Sequence, residues 1–551
     1  AIDRIVESMQ LFRTQGGVQK MGCRALNNLA FHVDENKTAI IAADGIEALC
    51  SAMWNHPTDH EVQCFAIEAI KLLSIREEGQ LRVVQARGVD GIIKGMREHP
   101  THLDIQMEGC KSLVNLSSND AIRTSIAEKK GPDVIVGAME THTTSHELQE
   151  YACWALANIV CGIDANRMNV IAAGGIEAII MSMDREAGSA DVQSRACQAL
   201  NQLATKSPPA QNSIAERNGL ASIVTAMRQH AQRVDVVTYA CCALSNIATQ
   251  PAIQTKAAEA GVIDVVIAGA KNHPREAELQ IQACWALKNL AASHEENQAA
   301  IASKRGAQVV VEAMAAHSAN QAVQFHGCWT LKNLSGSQDA TREAVAEQGA
   351  VNAILAAMNG NPERQDIQYW GCWGLKNLAV APQNQVTIVD QGGQGAVLNA
   401  MDQHPAQPDV QIQGCGALLN LALNDTNRGM IADKGGIESV VRAMRAHEAH
   451  PQVQLWCSWA LRNFATKENT ESLLLEKGGA EALVKATTTH IDDYEVMLQS
   501  CWALSLSNKK TRAKMRELGA KEAVKAAMAQ HAPNPSSEEL IKRAKAALAV
   551  L

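Results

Sequence analysis

Along the whole chain, apolar residues recur at three- and four-residue intervals, and no stretch alternates with period two. That pattern predicts amphipathic helices and no strands. Residues 296–336 read ENQAAIASKRGAQVVVEAMAAHSANQAVQFHGCWTLKNLSG. A short helical piece leads to Gly306, and a second helix follows with Val309, Val310, Ala313 and Met314 on one stripe. His317 ends it, and a third helix runs from about Val323 to Leu334. The close of the third helix is written three times almost unchanged, as CWALKNLAA at 284–292, CWTLKNLSG at 328–336 and CWGLKNLAV at 372–380.

The unit is a repeat with a period of 43 or 44 residues. Its cysteine recurs at Cys23, Cys110, Cys153, Cys197, Cys241, Cys284, Cys328, Cys372, Cys415 and Cys501, with Ile67 and Ser458 in the two remaining slots. A glycine marks the start of the second helix from Gly45 and Gly88 onward to Gly349, Gly393 and Gly519. A Met followed three residues later by His marks its end, as at Met314/His317 and Met444/His447, often with Pro next, as in His404-Pro405. A cation there suits the helix dipole, and Pro cannot continue the helix. Three short helices cannot bury their own apolar faces, but stacked copies can. The expectation is therefore an all-α, right-handed α-solenoid of about twelve three-helix repeats, a single continuous domain over residues 1–551. Residues 5–9 align with a second helix and Ala544 falls in another third helix. The first and last repeats are thus expected to be incomplete, and the chain to be a piece of a longer array.

Composition adds exclusions. The apolar fraction is 46%, aromatics only 3%, and net charge is −8. That balance argues against general binding to nucleic acid or anionic membranes. No apolar run is long enough for a transmembrane helix. Equivalent cysteines in stacked units lie beyond the reach of a disulfide and read as small packing residues in a reducing setting, cytoplasmic and possibly nuclear or cytoskeletal. The periodic His residues read as helix-end residues. No metal, cofactor or catalytic set is expected: no phosphate loop, nucleophile triad or HExxH is present.

Gly-Gly-Ile before the second helix, Val-Gln opening the third and Cys-Trp-Ala-Leu-x-Asn-Leu-Ala closing it resemble the armadillo repeat over essentially the whole chain. Importin-α and β-catenin are its familiar types. The resemblance implies that third helices line a concave groove for extended peptides, with Asn side chains on the ligand backbone and Trp residues four positions earlier forming side-chain pockets. The pair occurs at Trp154/Asn158, Trp285/Asn289, Trp329/Asn333, Trp373/Asn377 and Trp459/Asn463, while Asn246 and Asn420 stand without the Trp and Trp502 without the Asn. Independently of the family, Trp and Asn at i, i+4 share one helix face, and an amide offers the donors and acceptor a peptide backbone needs. The alternative is that each Asn bonds the neighbouring repeat and each Trp simply packs.

Phe325 and Tyr369 precede Trp329 and Trp373 by four residues, and Trp370 is close by. This concentration of scarce aromatics is the candidate hot spot. Beside the Asn positions run Lys288, Lys332, Lys376 and Arg462, a basic strip in an acidic chain; a solvated charged row is the alternative. The strip favours a protein partner offering an extended segment with apolar and acidic residues, over the Lys/Arg-rich cargo of an importin-like groove, and makes nucleic acid an unlikely ligand. The functional expectation is a non-catalytic scaffold binding such a segment. The alternatives are a structural subunit of a large cytoskeletal or ciliary assembly, or the repeat domain of a larger multidomain protein.

Overall fold

The computed structural model describes residues 1–466, 468–506, 509–532 and 534–551. Among the described residues it contains α-helices, one 3-10 turn at Pro535–Ser537 and no strand. The chain divides into two units, Ala1–Asn272 and His273–Leu551. Each is built the same way. A complete repeat has a first helix such as Glu295–Ser303, a second such as Gly306–Ala316 and a third such as Gln321–Leu334. Within each unit, successive third helices make the most extensive contacts, so they form one continuous row.

Local chemistry sets these boundaries. Asn320 caps the third helix by accepting from the Ala322 and Val323 N–H groups at 3.0 and 3.2 Å. The second helix begins after a residue in the left-handed region, where Arg305 has φ +60° and Gly349 φ +93°. The glycine marker read from the sequence therefore merges two positions. Gly349 supplies the positive φ. Gly393 stands one residue later, where a Cβ would lie 2.3 Å from Ile388 Cγ2 and 2.7 Å from its carbonyl oxygen. Gly393→Ala is expected to lower stability by about 2 kcal/mol through overpacking, while Arg305→Gly is expected to cost nothing; denaturant unfolding of the full chain checks both.

The third helix is drawn onto the second by two devices. The residue before the slot cysteine is small, and at Gly327 a Cβ would meet Met314 Cγ at 2.5 Å. The Gln of each Val-Gln pair is buried and clamps the end of the second helix. Gln324 Nε2 donates to the carbonyls of Met314 at 2.7 Å and His317 at 3.1 Å. Gln368 and Gln454 repeat the arrangement.

The His residues do cap the second helix, and their rings also reach the preceding repeat. His317 Nε2 donates to the Pro274 carbonyl at 2.9 Å and His404 Nε2 to the Pro362 carbonyl at 2.8 Å, each in the preceding repeat. A neutral imidazole makes this bond, so the ring stitches repeats together. The slot cysteines are buried and free, and burial pushes the Cys328 and Cys372 thiols up to about 12. Cys457 stands one residue ahead of its slot, held by Ser458, and its sulfur lies 3.2 Å from that of Cys415. The two thiols share a hydrogen bond that slot-to-slot spacing alone would not suggest. Among the described residues no group of three or more His, Cys, Asp or Glu could hold a metal, and no helix is long and apolar enough to cross a membrane.

Candidate functional site: a column of indoles and cations

On a third helix, the Trp after the slot cysteine shares a face with the residues three and four positions to either side. In the unit His273–Leu551, the helices Ala277–Leu290, Gln321–Leu334, Gln365–Leu378, Pro408–Leu421, Pro451–Phe464 and Tyr494–Ser505 set these faces side by side. The cation of one repeat then reaches the aromatic residues of the next or, for Lys376, of the next but one.

The result is an unbroken column. Lys288 Nζ lies 5.1 Å from the ring centre of Trp285 and 3.9 Å from that of Trp329. Trp329 stacks on Trp370 at 4.1 Å. Lys332 Nζ sits 5.6 Å from Trp370 and 3.8 Å from Trp373. Lys376 Nζ sits 5.0 Å from Trp373 and 4.9 Å from Trp456, which stacks on Trp459 at 5.6 Å. The Arg462 guanidinium follows, 5.4 Å from Trp459 and 4.2 Å from Trp502, and Arg543 closes the column 3.6 Å over Trp502. Phe325 and Tyr369 pack edge-on against Trp329 and Trp373 at 5.7 and 5.6 Å. Gly416 occupies a Trp position and leaves the opening through which Lys376 passes: a Cβ there would lie 2.5 Å from Lys376 Cδ and 3.4 Å from Trp456.

The four predicted cations are therefore not a solvated row. Each lies against indole faces, and Lys288 is only 6% exposed. Among the described residues none of the four is paired with a carboxylate. Lys376 Nζ donates to Gln413 at 2.5 Å and Arg462 to Gln499 at 2.7 Å, both neutral amides. Loss of water dominates their titration. Burial pushes Lys288 down to about 8, Lys376 also to about 8 with the neighbouring Lys332 assisting, and Arg462 to about 10. His326, stacked on Trp285 at 5.2 Å, is pushed down to about 4 by burial and then by Lys288.

These shifts carry a stability prediction. In the folded chain Lys288 gives up its proton near pH 8, whereas an unfolded lysine holds it to about 10.4. Between those values the unfolded state binds more protons, so stability rises with pH across that window and the full penalty is carried below it. Lys288→Met keeps the stem and removes the charge. It is expected to stabilise the chain by about 1 kcal/mol at pH 7 and to flatten the rise above pH 8, as followed by denaturant unfolding at several pH values.

The Asn ladder is half committed. Asn333 Nδ2 donates to the Lys288 carbonyl at 2.9 Å, Asn377 to Lys332 at 3.1 Å, Asn420 to Lys376 at 2.9 Å and Asn463 to Leu419 at 3.1 Å. Each bond ties a third helix to the one before it. One of the two amide N–H donors thus goes to the fold, and what remains for a ligand is the second N–H and the oxygen, which at Asn333 also accepts from Lys332 Nζ at 3.2 Å. Asn289 is half-buried. It lines a cleft of about 430 Å³ with Lys288, Gln298, Trp329, Lys332, Asn333, Trp370, Trp373 and Asn377. The Gln298 carbonyl oxygen is buried with no donor.

Trp154, Asn158 and Asn246 belong to the unit Ala1–Asn272. There the Arg195 guanidinium covers Trp154 at 3.7 Å and Tyr151 stacks on it at 6.0 Å. Asn246 Nδ2 is taken by Asn201 Oδ1 at 2.6 Å, and Asn158 is half-buried. Two lysines on this unit's third helices meet carboxylates: Lys71 pairs with Glu108, and Lys111 with Glu147 at 2.7 Å. The sequence reading missed Trp456, His326, Gly416, Gln413, Gln499, Arg195 and Arg543. The signal for several was present, since residues two before the slot cysteine face the residue four after the slot of the preceding repeat.

Three-helix repeats stacked through a continuous row of third helices define an armadillo-type α-solenoid, the architecture of protein-interaction scaffolds. A family model described as LRRK2 ARM repeat matches residues 83–351 and 308–550, and the chain belongs to that family. Among solved structures, it is similar to a crystal structure of an engineered protein at 26% identity and TM-score 0.66, covering 76% of this chain and 98% of that one. It is also similar, at 14% identity and TM-score 0.69, to a structure from a study of a phosphorylation switch in the interaction between cadherin and β-catenin, covering 91% of this chain and 99% of that one. The second likeness speaks to fold alone. No curated protein matches the chain.

Proposed function

We propose that the unit His273–Leu551 binds an extended segment of a partner protein, rich in apolar and acidic side chains, across the third-helix face from Trp285 to Asn463, and that the protein acts through this binding rather than through catalysis. The observation that carries the reading is the row of Lys288, Lys332, Lys376 and Arg462, desolvated against indole faces and without a carboxylate partner. A buried cation without its counter-ion is costly, and an acidic segment would supply one. The indole edges and Phe325 offer the apolar contacts, and the Asn oxygens can accept backbone N–H groups. The unit Ala1–Asn272, where Lys71 and Lys111 already pair with carboxylates, would contribute less.

The test uses a fluorescein-labelled dodecapeptide alternating Glu and Leu, with its Lys/Leu counterpart, titrated against the full chain by fluorescence polarisation. Micromolar binding of the acidic peptide, weakening with salt, and no binding of the basic one are expected. Equal binding of both, or of neither, overturns the proposal.

A further inference from the structure

Where successive indoles of the column do not stack on each other, a cation of the chain already lies between them. Lys288 enters between Trp285 and Trp329 and Lys376 between Trp373 and Trp456, while Lys332 lies on the face of Trp373, which itself stacks on Trp370 at 5.5 Å; every Nζ is within 5.6 Å of two ring centres. That is the geometry in which an indole face attracts a cation. An indole pair that holds an ammonium group has, by construction, the shape and charge distribution to hold one from elsewhere. At each of these ring faces a second cation would meet both a filled space and a like charge. Gly416 shows the slot being kept open for its occupant, since a side chain there would displace Lys376.

We infer that Lys288, Lys332 and Lys376 are the specificity determinants of this face. Each is a built-in occupant that bars a Lys or Arg side chain of a ligand from an otherwise cation-accepting slot. The exclusion of basic segments is a property of these three side chains and not of the indole array, which unoccupied would select for basic segments. The inference rests on the reading that segments bind on this face, and extends it to what decides their charge.

Two triple variants separate the causes. Lys288→Ala/Lys332→Ala/Lys376→Ala removes both charge and stem and empties the slots. Lys288→Met/Lys332→Met/Lys376→Met removes the charge and leaves the slots filled. Both are titrated with fluorescein-labelled Lys/Leu and Glu/Leu dodecapeptides, with helicity and thermal unfolding recorded to show that the chain is folded. The Ala variant is expected to gain roughly 30-fold or more in affinity for the Lys/Leu peptide over wild type, and the Met variant to gain little. Equal gains in both variants would mean that charge alone sets the preference, and no gain in a folded Ala variant would mean that the slots do not accept cations; either overturns the inference. Should the triple Ala variant fail to fold, Lys288→Ala beside Lys288→Met gives the same comparison at one slot. Wild-type failure to bind the Glu/Leu peptide, alongside a gain by the Ala variant alone, would remove the acidic-segment proposal and leave this inference standing.

Discussion

Lys332→Glu is expected to weaken binding of the Glu/Leu peptide by about 100-fold, while Lys332→Met weakens it by about tenfold. Lys332 is the centre of the cleft, with its ammonium 3.8 Å from Trp373 and 3.2 Å from the Asn333 oxygen. Both neighbours are electron-rich, so a carboxylate in its place faces repulsion from the indole face as well as from the ligand. The Met variant removes the attraction only. The ratio between the two variants therefore reports the sign of the ligand's charge at this repeat. Polarisation titrations on both, with circular dichroism to show that helicity is retained, give the result. Equal affinities for wild type and the Glu variant would place the ligand elsewhere.

The largest stability effect is expected at Gln324→Leu, about 3 kcal/mol. The side chain is 2% exposed, and its amide is the donor for the carbonyls of Met314 and His317. Leucine fits the volume but leaves the Met314 carbonyl without a donor and the His317 carbonyl with the Asn320 N–H alone, and an orphaned buried group costs ~1–3 kcal/mol. Because each repeat is held mainly by its neighbours, the loss should appear locally. Hydrogen exchange should accelerate most around residues 306–334, with distant repeats nearly unchanged. A uniform acceleration along the chain would contradict this.

The fold was legible because it is written many times over. One third helix, from Gln321 to Leu334, could be guessed to within two residues because the slot Cys, the Val-Gln pair and the closing Asn-Leu recur at one spacing. What the sequence withheld were relations between repeats. It located Lys288, Lys332, Lys376 and Arg462, yet not that each reaches an indole on a later third helix, because those contacts join residues some forty positions apart, or eighty for Lys376 and Trp456. It left the Asn residues open between ligand and neighbour, and the amide nitrogens of Asn333, Asn377, Asn420 and Asn463 went to the neighbour. It assigned His317 and His404 to the helix end correctly, but not to a carbonyl in the previous repeat. A helical wheel drawn for one repeat cannot show any of these. Two wheels drawn side by side, with the residue four after one slot set against the residue two before the next, would have paired Lys332 with Trp370 and Lys376 with Gln413.

The stacked indoles also make the molecule optically self-reporting. Rings as close and as parallel as Trp329 and Trp370, at 4.1 Å and 12°, couple their electronic transitions, so the near-ultraviolet circular dichroism of the protein carries a signature of the column as a whole and not of separate chromophores. Each ammonium group lying on an indole face is a local field on that chromophore. Any ligand that draws Lys288 or Lys332 even slightly off its rings therefore changes the colour and yield of the emission, and occupancy of the face can be followed in the native chain without a label.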